Sequence, residues 1–189
     1  MPGGILVLVV GPSGAGKDTL LRLARDALAG DIRFLFPHRH VTRRSDSHEH
    51  VEERTPEAFA REKAAGGYAL SWAAHGQLYG VPRSIEAALE LGKVVVVNVS
   101  RSVVGEALAN YKQVVAVAIT APAAKLAERL LRRGREPPAD ILARVTRAAP
   151  PMPPDLSVIT IENDAALAVA ARRFIMALRQ IAEGTHRAA

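Results

Sequence analysis

Cysteine is absent from the 189 residues. That excludes a disulfide framework and any thiolate-ligated metal site, and it fits a reducing compartment. Aromatic residues make up only 4% of the chain, which argues against a surface on which nucleic-acid bases stack. Long hydrophobic runs are missing too. Ile5 to Val10 is the longest near the N-terminus, far short of the roughly 20 residues that span a bilayer. No cationic stretch precedes it, so it does not read as a signal peptide. The expectation is a cytoplasmic protein without membrane contact. What the chain does contain is core-forming material. It is 49% hydrophobic and 23% charged, enough for one compact domain and incompatible with a wholly disordered chain. Lys and Arg number 25 against 19 Asp and Glu, a net charge of +6. That excess suits an anionic partner, either nucleic acid or a phosphorylated small molecule. The scarcity of aromatics favours the small molecule, and no nucleic-acid partner is expected.

Apolar runs alternate with segments of helical period. Strands are expected at Ile5–Val10, Ile32–Phe36, Val94–Val99, Val114–Ile119 and Leu156–Ile161. Helices are expected at Lys17–Ala29, Pro56–Ala65, Val81–Leu91, Ser102–Ala109, Pro122–Arg133, Asp140–Ala148 and Asp164–Ala182, from apolar spacing and from caps such as Thr55 before Pro56. Continuous apolar strands alternating with helices predict an α/β fold with a parallel five-stranded sheet covered on both faces. Two segments break the rhythm. Pro37 to Gly80 is polar and rich in His and Arg, and Gly134 to Pro138 sits between Arg-rich helices. Such insertions hold substrates and lids in α/β nucleotide folds. The expected single domain therefore has a core at 1–36, 81–133 and 149–189, an acceptor-binding lobe at about 37–80 and a lid at about 134–148.

Gly11-Pro12-Ser13-Gly14-Ala15-Gly16-Lys17 follows the first strand and opens the first helix. This is the G-x-x-x-x-G-K spacing in the context its chemistry requires. Glycines let the backbone curl so that N–H groups point at phosphate oxygens. The helix N-terminus adds a partial positive charge, and Lys17 adds a full one for the β- and γ-phosphates. ATP with Mg²⁺ is the implied ligand. Where such loops place a Ser or Thr for the metal, this chain has Asp18, followed by Thr19. Either can serve Mg²⁺, which prefers oxygen ligands, and Asp18 can equally complement the helix dipole. Asn98 stands where a second metal carboxylate is expected, at the end of the strand that begins at Val94.

Further matches follow the loop in order: Thr42-Arg43-Arg44, the run Ser71-Trp72-Ala73-Ala74-His75-Gly76-Gln77-Leu78-Tyr79-Gly80, Arg129 to Gly134, Arg144 and Asn163-Asp164. Order and spacing resemble the guanylate kinase family over nearly the whole chain. The resemblance implies a P-loop NTPase fold. It implies that Arg43 and Tyr79 hold the acceptor phosphate, with Arg44 nearest to a second acceptor arginine. It also implies that Arg129, Arg133 and Arg144 close over the transferring phosphoryl group, and that Asn163 lies near adenine. Guanylate kinases read guanine with a Glu before the Trp and an Asp in the third-strand region. Here those positions are Ser71 and Asn98, and the family's Tyr near the end of the acceptor segment corresponds to His50. A site without those groups loses its selectivity for guanine.

The Gly-Lys-Asp loop, with Ser-Trp-Ala-Ala-His-Gly-Gln-Leu-Tyr-Gly-Val-Pro downstream, resembles the ribose 1,5-bisphosphate phosphokinase branch. That resemblance implies an acceptor with two phosphates and no base, converted to 5-phosphoribosyl 1-diphosphate (PRPP). The cluster of His38, Arg39, His40, Arg43, Arg44, His48 and His50 suits such an acceptor. Taken singly, His38, Arg39 and His48 read as solvated side chains, and His75 either bonds substrate or shapes a turn. Two other readings stand beside this one: a nucleoside monophosphate kinase with altered base choice, and a non-catalytic guanylate kinase-like binding module. A monomer or homodimer is expected.

Overall fold

The computed structural model describes residues 3–43, 50–133 and 151–187. In chain order the core elements are β1 (Ile5–Val10), α1 (Lys17–Ala27) and β2 (Phe34–Leu35), then β3 (Arg39–Val41), β4 (Val51–Glu53), α2 (Pro56–Ala64), β5 (Tyr68–Ala74) and β6 (Gln77–Pro82). They continue with α3 (Ile85–Glu90), β7 (Val94–Asn98), α4 (Val104–Asn110), β8 (Val114–Thr120), α5 (Ala123–Arg133), β9 (Ser157–Glu162) and α6 (Leu167–Arg187).

A parallel sheet runs in the order β2-β7-β1-β8-β9, with β1 at its centre. The pleat sends alternate residues of β1 to opposite faces, which explains why the strand is apolar throughout. Ile5, Val7 and Val9 meet Leu20 and Ala24 of α1 and Phe174 and Leu178 of α6. Leu6, Leu8 and Val10 join Ile85 of α3 and Val104 and Ala107 of α4 on the other face. Every residue of β1 from Leu6 to Val10 is 0% exposed. The two faces hold the carboxyl end of β1 rigid, and the glycine-rich segment leaves from that end.

A second, smaller sheet has the order β4-β3-β6-β5. In it β3 is parallel to β4 and antiparallel to β6, and β5 and β6 form a hairpin. Its helix α2 begins as expected, with Thr55 Oγ1 accepting from the Ala58 N–H at 3.2 Å and Pro56 at the first position.

Several expected boundaries shift. Val81 and Pro82 belong to β6, and α3 begins only at Ile85. The hairpin decides this: His75 and Gly76 both adopt positive φ (53° and 71°), the two-residue turn that matches strand twist, and pairing then runs back to Tyr68 opposite Pro82. Ile32 is 84% exposed, so β2 covers only Phe34 and Leu35. The helix expected from Ser102 opens with a 3-10 turn at Arg101–Val103 before α4. The last helix starts at Leu167 rather than Asp164. The helix expected at Asp140–Ala148 lies outside the described residues. No helix among the described residues is long and apolar enough to cross a membrane.

Candidate active site

The phosphate loop is braced from outside by two side chains. Asn163, 2% exposed at the end of β9, donates from its backbone N–H to Thr120 O (2.8 Å) and from Nδ2 to Ala15 O (2.8 Å). Its Oδ1 is buried without a hydrogen-bond partner. Arg129 on α5 donates to Gly14 O (3.3 Å) and to Asn163 O (2.9 Å). Gly16 carries φ +90°, and a Cβ there would collide with the Asn163 amide, so the last glycine of the loop and its brace are fitted to each other. Lys17 Nζ donates to the carbonyls of Gly11 (2.7 Å) and Pro12 (2.9 Å), lying back across the loop that also holds Ser13. The α1 ladder begins with Leu20 N–H to Gly16 O (3.0 Å).

Asp18 and Thr19 occupy the first turn of α1, both half-buried. Asp18 Oδ1 accepts from Asn98 Nδ2 at 2.8 Å and lies 3.7 Å from Arg39 Nη2. The carboxylate is thus directed toward the end of β7. Hard oxygen donors on Asp18 and Thr19 fit Mg²⁺, an ion that keeps most of its shell for water and substrate phosphates. The described residues contain no group of three or more acidic, His or Cys side chains able to cage a metal by themselves.

Beside the loop lies an open cleft of about 420 Å³, lined among others by Asp18, Arg22 and Arg25 of α1, Arg39, His50 and Asn98. The sheet-spanning contacts thus bring Asp18, Asn98 and His50 to one cavity. The His50 imidazole is half-buried in this cleft. Burial pushes its pKa below the ordinary imidazole value, and His38 and Arg25 add to this against the opposing effect of a bond to Phe36 O. Its Nε2–H donates to that carbonyl at 2.9 Å, and the His38 ring lies 3.4 Å away, centroid to centroid.

Arg39 corrects the sequence reading more sharply. It is not solvated; it is 9% exposed in β3 and faces Asp18. His40 leaves the expected cationic cluster altogether. At 5% exposure it turns into the second sheet, where its Nδ1 lies 3.1 Å from Glu62 Oε2 and its Nε2 3.1 Å from Arg54 Nη2. The Tyr68 hydroxyl donates to the same Glu62 oxygen at 2.8 Å. Burial and the Glu62 carboxylate push the Tyr68 hydroxyl far above the ordinary phenol range. Burial works to raise Glu62, but the bonds from Tyr68 and His40 and the charge of Arg54 hold it low.

Arg43 and Tyr79 are brought close by register. Val41 pairs with Tyr79, and Thr42 is fixed to Leu78 by bonds in both directions (3.1 and 2.8 Å). Arg43 follows directly. Tyr79 stacks on Trp72 with centroids 5.4 Å apart and planes 7° from parallel. Ser71 pairs with Gly80 on the same hairpin, and exposed His75 sits at its tip. Arg44 and Arg144 lie outside the described residues; Arg133 ends α5, and its side chain is not described. Arg22 and Arg25 are absent from the sequence-based list. The available signal was their spacing from Asp18, four and seven residues on, which places all three on one helix face.

A phosphate loop between a central strand and the first helix, with an arginine-lined cleft beside it, defines a P-loop kinase of guanylate kinase architecture. Guanylate kinase from Anaplasma phagocytophilum superimposes with a TM-score of 0.66 over 95% of this chain and 86% of its own, at 19% identity. A gluconokinase from Sinorhizobium meliloti gives 0.57 over 100% and 98%, also at 19% identity. Residues 7–146 match the family model described as an AAA domain.

Sequence relatives narrow the class. Ribose 1,5-bisphosphate phosphokinase PhnN of Methylobacterium radiotolerans is 49% identical over 95% of this chain and 99% of its own. That of Rhodopseudomonas palustris is 46% identical over 85% and 80%. The chain belongs to the ribose 1,5-bisphosphate phosphokinase family. It also aligns, at 43% identity over 93% of its length, with 29% of the bifunctional ribose 1,5-bisphosphokinase-thymidine phosphorylase of Cupriavidus necator.

Proposed function

We propose that this protein transfers the γ-phosphoryl group of ATP to the 1-phosphate of ribose 1,5-bisphosphate, releasing ADP and PRPP. The observation that carries the reading is the character of the cleft. Among the described residues its walls hold Arg22, Arg25 and Arg39, and the one carboxylate there, Asp18, accepts a hydrogen bond from Asn98. A guanine edge presents N–H donors and needs acceptors; a sugar bisphosphate needs cations.

In this reading the loop N–H groups from Gly11 to Lys17 and the Lys17 ammonium hold the β- and γ-phosphates. Arg43 and Tyr79, with Arg44, hold the acceptor 1-phosphate so that one of its oxygens faces the γ-phosphorus. A new P–O bond forms to that oxygen while the bond to the β-phosphate bridging oxygen breaks. The acceptor phosphate is already ionised at neutral pH, so no general base is required. Positioning and charge neutralisation supply the acceleration. Asp18 and Thr19 are the residues that would hold Mg²⁺, which screens the charge between the β- and γ-phosphates when bound. Arg133 and Arg144 are the lid cations of this reading, with residues at about 134–148 as the lid and about 37–80 as the acceptor lobe. Arg129 and Asn163 serve ATP by fixing the loop backbone. Ser71, His75 and Asn98 stay in the reading as acceptor-side residues. The enzyme is read as cytoplasmic and as a monomer or homodimer, acting on small molecules alone.

The test is an ATP-consumption assay with Mg²⁺ that compares ribose 1,5-bisphosphate with GMP. PRPP from the sugar with GMP inert is the expected result. GDP from GMP with the sugar inert would overturn the reading in favour of a divergent nucleotide kinase.

A further inference from the structure

We infer that Trp72 is a positioning residue: it aims the Tyr79 hydroxyl at the acceptor phosphate and ties that hydroxyl to the strand that carries the phosphate loop. This rests on the proposed reaction and adds to it a residue that acts through another. Tyr79 is a half-buried residue of β6. On a strand its side chain has two common χ1 positions, which send the hydroxyl in different directions. Sheet register alone does not choose between them; the Trp72 ring does. Trp72 is the cross-strand partner of Tyr79 on β5, and the two rings lie 5.4 Å apart with planes 7° from parallel. Aromatic pairs favour such offset stacking, and a Tyr79 ring turned to its other position would lose it. Val41 of β3 pairs with Tyr79 from the opposite side, so the three residues form one row across the second sheet.

Trp72 is itself anchored. It is partly buried and packs against the apolar cluster on one face of the large parallel sheet, which includes Leu8 and Val10 of β1 and Val97 of β7. Gly11, the first residue of the phosphate loop, follows Val10 directly. The other face of β6 is closed at Gly80, where a Cβ would collide with the Tyr68 ring. The hairpin is therefore held from both faces, and the link from the core to the Tyr79 hydroxyl runs through two rigid rings. In-line transfer needs an acceptor oxygen set against the γ-phosphorus, and a misplacement of about 1 Å can cost about 10²-fold in rate. A tryptophan that packs on the core of β1 and on Tyr79 at once supplies that placement.

The experiment is a double-mutant cycle on kcat/KM for ribose 1,5-bisphosphate, with the wild type, Trp72→Leu, Tyr79→Phe and the double variant, and with Trp72→Phe as the conservative control. Trp72→Leu keeps an apolar contact with the core and removes the ring face. It should lower kcat/KM by about tenfold to a hundredfold, with KM for ATP unchanged, and Trp72→Phe should restore most of the loss. In Tyr79→Phe there is no hydroxyl left to aim, so adding Trp72→Leu should cost less than about twofold more. Losses that multiply in the double variant, in an enzyme that makes PRPP, overturn the inference. Trp72 is the only tryptophan of the chain, which gives a second readout that needs no variant of it. Saturating ribose 1,5-bisphosphate without ATP should shift the emission of the wild type, and Tyr79→Phe should lose that shift. If Trp72→Leu does not fold in thermal melting, this titration decides: no shift, or one that Tyr79→Phe retains in full, overturns the inference. A wild-type protein that converts GMP and not the sugar overturns the proposed reaction alone, and the same cycle is then read with GMP as acceptor.

Discussion

Gly16 and Asn163 are separated by most of the chain, yet each dictates the other, and a double-mutant cycle can read that dependence. Asn163→Ala removes the Nδ2 bond to Ala15 O (2.8 Å) and leaves a carbonyl of a 0%-exposed residue without that donor. Such a loss costs about 1–3 kcal/mol. Gly16→Ala brings two penalties. An L-residue held at φ +90° costs about 1–2 kcal/mol, and the new methyl must push the Asn163 amide aside, breaking the same bond. In the double variant the amide is already gone, so only the backbone strain is added. The double variant should therefore be less destabilised than the sum of the singles by about one hydrogen bond, roughly 1–2 kcal/mol. For a chain of this size that corresponds to about 2–8 °C in summed Tm losses. Urea and thermal unfolding of the four proteins measure it. KM for ATP should rise in all three variants, because the loop carbonyl that Asn163 holds lies between the phosphate-binding N–H groups. Additivity within about 0.5 kcal/mol would refute the claim that this contact sets the shape of the loop.

Lys17→Met removes the one full charge of the loop and its bonds to Gly11 and Pro12; kcat should fall by about 10²–10³ while far-UV circular dichroism stays native. Tyr68→Phe deletes the hydroxyl that donates to Glu62 at 2.8 Å in a 7%-exposed ring; chemical denaturation should show a loss of about 1–3 kcal/mol, with KM for ATP unchanged. His50 gives a pH signature. Burial, His38 and Arg25 depress its pKa, against the Phe36 carbonyl and Glu52. The unfolded chain therefore binds the proton more readily, and stability falls as pH drops below the ordinary imidazole value of about 6.5. Between pH 7.5 and 5.5 the wild type should lose more Tm than His50→Gln; parallel curves would show that the ring titrates normally in the fold.

The elements legible in the sequence share one physical property: their structure is decided locally or by burial on both sides. Gly11 to Lys17 encodes a backbone path in its own glycines, and β1, with β7 up to Val97 and β8 up to Ile119, is a continuous apolar run because both faces are covered. The second sheet lacks that signal. β3 and β4 are three residues each, and β6 takes in Val81 and Pro82 only because the His75–Gly76 turn lays it against β5. Composition alone sends Arg39 to solvent, since arginines are rarely buried. Its burial is a product of pairing β3 with β6 and of Asp18 across the cleft, neither of which is written near Arg39. Arg22 and Arg25 look like ordinary surface residues of a helix until the segment around Phe36 and His50 folds against them. The glycine-rich loop was therefore readable, because it rests on a rare spacing of residues. The wall of the cleft beside it was not, because Arg22, Arg25 and Arg39 are common residues that only the packing of distant segments brings together.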